Sequence, residues 1–267
     1  MIKVWPFYAG VIIFVLSVLF LIKSDADSAS PLLTYRVVDL GTLEQAVGGM
    51  VRGPNGLNEV VGAAVVPGSG IRAFLLTTSG FENLEGLPGT DWSSSHGVND
   101  IGGIVGSSNA AAAVRAFRWT RAGGVQGLGA LPGDSGSEAF GINRHNEVAG
   151  YSSGPNGVEA TIWRSNGQIQ GLGRLIDGDQ SRGLAINERT EVVGTSGTAN
   201  GTRAFIWRSS EGMRDLGTLP GDDNSTAYAI NSRGEVVGFS DGPSGARAVL
   251  WSQSQTIENC ASPARAI

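Results

Sequence analysis

Two histidines, His96 and His145, are the only imidazoles in the chain, so a serine triad or a zinc site would have to use one of them. Two segments match the serine-hydrolase elbow, Gly150-Tyr151-Ser152-Ser153-Gly154 and Gly238-Phe239-Ser240-Asp241-Gly242. That chemistry needs a strand-to-helix turn, a histidine and an acid. Gly133-Asp134-Ser135-Gly136 resembles the loop around a serine-protease nucleophile. Asp177-Gly178-Asp179-Gln180-Ser181 sets oxygen donors at alternate positions, as the start of a calcium loop does, but lacks the later bidentate glutamate. Calcium is the one cofactor this pattern suggests.

The elements that carry these residues are repeats. Trp119, Trp163, Trp207 and Trp251 are 44 residues apart. Asn55, Asn99, Asn143, Asn187 and Asn231 keep the same step, as do Gly62, Gly106, Gly150, Gly194 and Gly238. Ser152 and Ser240 fall at one repeat position with Ser108 and Ser196, and no helix follows them, so the repeat accounts for both elbows. Gly133-Asp134-Ser135-Gly136 occupies the same loop as Gly221-Asp222-Asp223-Asn224. His145 lies in an Asn-Arg-His-Asn turn, where exposure is expected. His96 takes the place of Phe140, Leu184 and Tyr228, which predicts a histidine packed at an apolar position.

Each unit reads as four short strands, represented in the fifth by Ala227–Asn231, Glu235–Ser240, Arg247–Trp251 and Thr256–Cys260. The turn after the first strand ends on Asn58, Gly102, Asn146, Thr190 and Gly234. Four of these five tolerate a left-handed backbone well. Adjacent apolar residues such as Val236-Val237, and the run Ala204-Phe205-Ile206-Trp207, require cover on both faces. A four-stranded sheet buried on both faces is what a propeller blade needs. The expected fold is therefore an all-β β-propeller of about five blades, with a β-solenoid as the alternative. The units are 37–81, 82–125, 126–169, 170–213 and 214–257, within a domain of 31–260, and 261–267 form a tail. A spare strand, Tyr35-Arg36-Val37-Val38-Asp39-Leu40, is expected to pair beside the third strand of the last unit and latch the ring.

The units resemble the HAF-repeat family of bacterial extracellular proteins. The resemblance rests on Arg203-Ala204-Phe205-Ile206-Trp207, Met213-Arg214-Asp215-Leu216-Gly217-Thr218-Leu219-Pro220-Gly221, Ala229-Ile230-Asn231 and Glu235-Val236-Val237-Gly238, and it covers all five units. The histidine of the family's His-Ala-Phe is replaced here by Arg72, Arg115, Arg203 and Arg247, and by Glu159 in the third unit, so no role of that histidine carries over. The resemblance implies export and a repeat architecture, not an activity.

Export is also implied by the start of the chain. Val4 to Ile22 is almost wholly apolar and flanked by Lys3 and Lys23. As a helix it would reach about 28 Å, enough to cross a bilayer. Residues 1–30 are thus a signal peptide or membrane anchor with its linker, with small residues at Ala26, Ser28 and Ala29 for cleavage. Cys260, the sole cysteine, has no partner for an intramolecular disulfide. A net charge of −5 leaves no broad basic surface for nucleic acid. Of 267 residues 41 are glycine, an excess that suits turns and short strands rather than helices.

The loops leading into each first strand carry Asp91, Asp134, Asp179 and Asp223, and Trp92 stands where other units have Gly136, Gln180 and Asn224. With His96 these residues predict an aromatic on an acidic rim, able to stack on a sugar or peptide. The expected function is an exported, monomeric, non-catalytic module binding a glycan or protein at the cell surface or in the periplasm. The alternative, a propeller glycosidase or lyase, needs two or three carboxylates in the channel. The first strands offer only Glu138.

Overall fold

Each repeat folds, in this computed structural model, into one antiparallel sheet of four strands taken in chain order. The structure describes residues 39–41, 43, 46–110, 113–252 and 257–259. The apolar segment 4–22, most of the latch segment 35–40, and Cys260 lie outside them. Among the described residues no helix is long and apolar enough to cross a membrane.

Sheet 1 comprises β1 (Gly48–Pro54), β2 (Val60–Val66), β3 (Gly70–Thr77) and β4 (Gly80–Leu84). Sheet 2 comprises β5 (Ser93–Val98), β6 (Ile104–Ala110), β7 (Ala113–Thr120) and β8 (Gly124–Gly127). Sheet 3 holds β9 (Gly136–Ile142), β10 (Val148–Gly154), β11 (Gly157–Trp163) and β12 (Ile169–Gly171). Sheet 4 holds β13 (Ser181–Ile186), β14 (Val192–Thr198), β15 (Gly201–Arg208) and β16 (Gly212–Asp215). Sheet 5 holds β17 (Asn224–Ile230), β18 (Val236–Asp241), β19 (Arg247–Trp251) and β20 (Ile257–Asn259). The sequence units are therefore out of phase with the sheets: 82, 126, 170 and 214 fall inside the last strand of the preceding sheet.

The turn chemistry follows the sequence. Asn58, Gly102, Asn146, Thr190 and Gly234 all adopt positive φ, between 58° and 84°. Thr190 is the one poor tolerator, and the same frame holds it there. The leading asparagine fixes each turn: Asn143 Oδ1 accepts the N–H groups of His145 and Glu147, both at 3.0 Å. Its amide does a second job by reaching the next sheet. Asn55 donates to the Asn99 carbonyl at 2.9 Å, Asn99 to Asn143 at 2.8 Å, Asn143 to Asn187 at 3.1 Å and Asn187 to Asn231 at 3.0 Å. One asparagine per unit thus links all five turns.

Serines make a parallel set of links. The N–H of Ala73 donates to Ser93 Oγ, Ala116 to Ser137, Ala160 to Ser181 and Ala204 to Ser225, at 2.8–3.0 Å. Each bond joins the third strand of one sheet to the first strand of the next. Between these stitches lies one apolar cluster per junction, such as Val105, Ala116, Ala139, Val148 and Trp163 between sheets 2 and 3. All four repeat tryptophans are buried there.

The junction between sheets 5 and 1 is different. Among the described residues no comparable packing joins them. Val51 is 45% exposed, whereas Ser95, Ala139, Gly183 and Ala227 at its repeat position are buried. Gly49 replaces the stitching serine, and Ala248 is exposed where Ala73, Ala116, Ala160 and Ala204 are buried. The edge of β19 beside which the latch strand is expected to pair is taken by β20. Trp251 stands opposite Ile257 and Val249 opposite Asn259, because β20 is the next strand in the chain after β19, and most of the latch segment lies outside the described residues.

Candidate functional site

The first strands of neighbouring sheets pack on one another, β1 on β5, β5 on β9, β9 on β13 and β13 on β17, and so surround the axis. Each carries a bulge that sets one side chain out of register: His96, Phe140, Leu184 and Tyr228, with Arg52 at the corresponding irregularity of β1. The extra residue has no partner on the second strand, so its side chain is free to differ from unit to unit.

At these positions a continuous strip of rings forms. The His96 and Phe140 rings stack with centroids 5.2 Å apart and planes 12° from parallel. Phe140 meets Tyr151 at 5.9 Å, and the Arg182 guanidinium lies 5.4 Å from the Tyr151 centroid. Tyr151 Oη donates to Glu138 Oε1 at 2.6 Å. Burial, and then the Glu138 bond, push the Tyr151 phenol up, which keeps its proton in place at neutral pH. His96 Nδ1 lies 2.9 Å from the Ala139 carbonyl, so it is the protonated nitrogen of a neutral ring and donates to it. Burial lowers the His96 pKa to about 4, and the positive charge of Arg52 acts in the same direction.

This predicts a pH window. The fold holds His96 neutral while the unfolded chain takes up a proton near pH 6.5, so stability is complete above that value and declines as pH falls towards 4. Allowing for partial exposure, the loss is about 2 kcal/mol. Carboxylates held low in the fold, Asp100 by Arg144 and Asp222 by the Ser240 hydroxyl, withdraw their contributions only below the ordinary carboxylate range. Urea melts between pH 7 and 5 should therefore show a decline that His96→Phe removes. An equal decline in the variant would show that other groups cause it.

The rim expectation is only partly met. Asp91, Trp92, Asp134, Asp179 and Asp223 do sit in loops entering the first strands. They meet the ends of the second strands, as the backbone N–H groups of Asp91 and Trp92 donating to Asn109 Oδ1 of β6 at 2.8 and 2.9 Å show. His96 does not join them, because it lies inside β5 at the bulge. Asp134 is occupied in accepting the Ser152 hydroxyl at 2.6 Å, just as Asp222 accepts Ser240 at 2.6 Å. Asp179 and Asp223 are exposed. Asp177 takes a φ of 61° in a tight turn, and among the described residues no three acid, imidazole or thiol groups converge as a metal site.

The two elbow serines are structural. Ser152 and Ser240 are fully buried and accept the N–H groups of Leu131 and Leu219 at 2.9 Å. Ser108 and Ser196 do the same for Leu87 and Leu175 at 3.1 Å. His145 is exposed on its turn, with Nδ1 4.0 Å from Glu188. Sequence reasoning placed His96, Phe140, Leu184 and Tyr228 together but read them as packing. They stand out in sequence because they vary in size and polarity from unit to unit while the next position, Gly97, Gly141, Ala185 and Ala229, stays small.

No protein-family profile matches the chain, and no curated protein sequence does. Solved structures do. A putative TolB from Agrobacterium tumefaciens aligns with a TM-score of 0.59 at 13% identity, covering 79% of this chain and 80% of that one. TolB from Acinetobacter baumannii gives 0.56 at 12% identity, over 78% of this chain and 53% of that one. A catalytically inactive virginiamycin B lyase from Staphylococcus aureus, solved with quinupristin, gives 0.53 at 15%, over 80% and 70%. At such identities the likeness concerns the fold, and together with five meandering four-stranded sheets it makes this chain a β-propeller.

Proposed function

We propose that the protein is an exported, non-catalytic propeller of the HAF-repeat type that binds a protein or glycan partner outside the cytoplasm through its axial mouth. The observation that carries this reading is the strip from His96 through Phe140 and Tyr151 to Arg182, built at the bulge and neighbouring positions where the repeat is not kept. The periodic polar residues are spent on holding sheets together, as the asparagine and serine links show. The apolar segment 4–22 supports export. Mass spectrometry of the mature N-terminus tests that part, with a start beyond residue 23 or an intact membrane-bound chain as the expected results.

A hydrolytic or lyase role finds less support. Glu138 is the one carboxylate on the five first strands, and its Oε1 is held by Tyr151. Peptide and glycan arrays probed with the wild type, Phe140→Ala and Trp92→Ala test the binding reading. Phe140→Ala is expected to weaken the recovered contacts at least tenfold while Trp92→Ala retains them. Turnover of any arrayed compound, or silence on both arrays, would overturn it.

A further inference from the structure

The axial strip carries charge that the protein does not neutralise. Most of the ion-paired arginines belong to the turns and hairpins, as with Arg144 and Asp100, Arg164 and Glu147, or Arg208 and Glu191. Arg52 and Arg182, on the first strands, have no carboxylate partner among the described residues. Arg182 donates instead to the Gln180 side chain at 2.9 Å and covers Tyr151. Glu138, the one first-strand acid, keeps its negative charge while it accepts from Tyr151, so the two arginines exceed it by one charge.

A second feature lies beside Arg182. Thr195 is its register partner on β14, and the Thr195 hydroxyl is buried with no hydrogen-bond partner. An orphaned buried hydroxyl next to an unpaired guanidinium is a donor pair awaiting an acceptor. The rings add to this. One face of His96 stacks on Phe140, Phe140 also meets Tyr151, and Arg182 covers Tyr151, so that electropositive ring edges stand beside the arginines and add to the attraction for an anion. Arg52 and His96 stand three residues before Asn55 and Asn99, towards the asparagine turns, whereas Arg182 is the second residue of β13, beside Gln180 of the loop that enters it, so the two arginines are spaced along the axis.

We propose that the axial mouth takes an acidic polypeptide segment lying along the axis, with one carboxylate held by Arg182 and the Thr195 hydroxyl and another by Arg52. The inference rests on the binding reading above and specifies its partner. In a chain of net charge −5 a local cationic lining discriminates strongly between acidic and basic partners.

The test uses poly-L-glutamate as probe, with poly-L-lysine and polygalacturonate beside it, by calorimetry at low and moderate salt. Poly-L-glutamate is expected to bind, to weaken with salt, and to lose at least tenfold in affinity with Arg52→Gln or Arg182→Gln. Thr195→Val, which keeps volume and should keep the fold, is expected to lose severalfold. Melting curves confirm that each variant is folded. Undiminished binding by both arginine variants, or a preference for polygalacturonate, overturns the inference. If poly-L-glutamate fails while Phe140→Ala abolishes an array contact, the acidic-partner inference falls and the binding module stands. If both fail, both fall.

Discussion

Gly150→Ala is expected to be among the most damaging single methyls that can be added to this protein. The bulge at Phe140 pushes the Glu138 carbonyl into the space where a Cβ on residue 150 would stand, and the Ala139 Cα lies directly behind it. Backbone cannot swing aside as a long side chain would, so the strand pair must separate or the bulge must straighten. A straightened bulge would shift β9 by one residue and send its buried face outward. The expected loss is about 4 kcal/mol or more, a large part of the stability of an ordinary domain. Gly53→Ala is the control, because Gly53 has open space around it and no positive φ, and it should fall within about 0.5 kcal/mol of wild type. Urea midpoints decide the matter, and a Gly150→Ala protein as stable as the control would mean that the bulge is not fixed. Gly62, Gly106, Gly194 and Gly238 meet the same obstacle from Met50, Ser94, Arg182 and Thr226.

Asn143→Ala comes second. The side chain is buried and its Oδ1 accepts two turn N–H groups, while Nδ2 donates to Glu147 at 3.0 Å and to the Asn187 carbonyl at 3.1 Å. Alanine strands all four partners, two of them backbone donors with no ready substitute. A loss of about 3 kcal/mol is expected. Asn231 caps its own turn in the same way, and its amide donates to Glu235 at 2.6 Å, but no carbonyl of a following sheet accepts from it among the described bonds. Asn231→Ala should therefore cost about 1 kcal/mol less. Equal losses at the two sites would show that the bond between sheets contributes nothing.

The architecture was legible because the repeat fixes it five times over. The left-handed turn positions, the recurrent glycines and the buried tryptophans could be located from spacing alone. Sheet boundaries were less visible, since a repeat can be cut anywhere, and only pairing shows that residues such as Glu82 and Arg214 finish one sheet rather than begin the next. The axial site was half legible. His96 stood out as a departure from its column, but a bulge leaves no mark on hydrophobic alternation, so Phe140 read as core and Arg52 was not recognised as the neighbour of His96 on the adjoining first strand. The acidic loops were legible in position but not in what their side chains bond, for a related reason. Asp134 and Asp222 look like free ligands in sequence, and only the fold reveals the serine hydroxyls beneath them.

The unstitched junction between sheets 5 and 1 has a consequence for how the molecule comes apart. Among the described residues, sheets 2, 3 and 4 are each clamped on two sides, while sheets 1 and 5 are clamped on one. In an array where each unit touches only its neighbours, opening begins at the least-clamped members and travels inward. Amide protons should then be shielded from solvent exchange most strongly in β10 and β14, and least in β1 and β19. The propeller behaves as a row with two ends, and its middle sheets, which carry Phe140, Tyr151 and Arg182, are the last to let go.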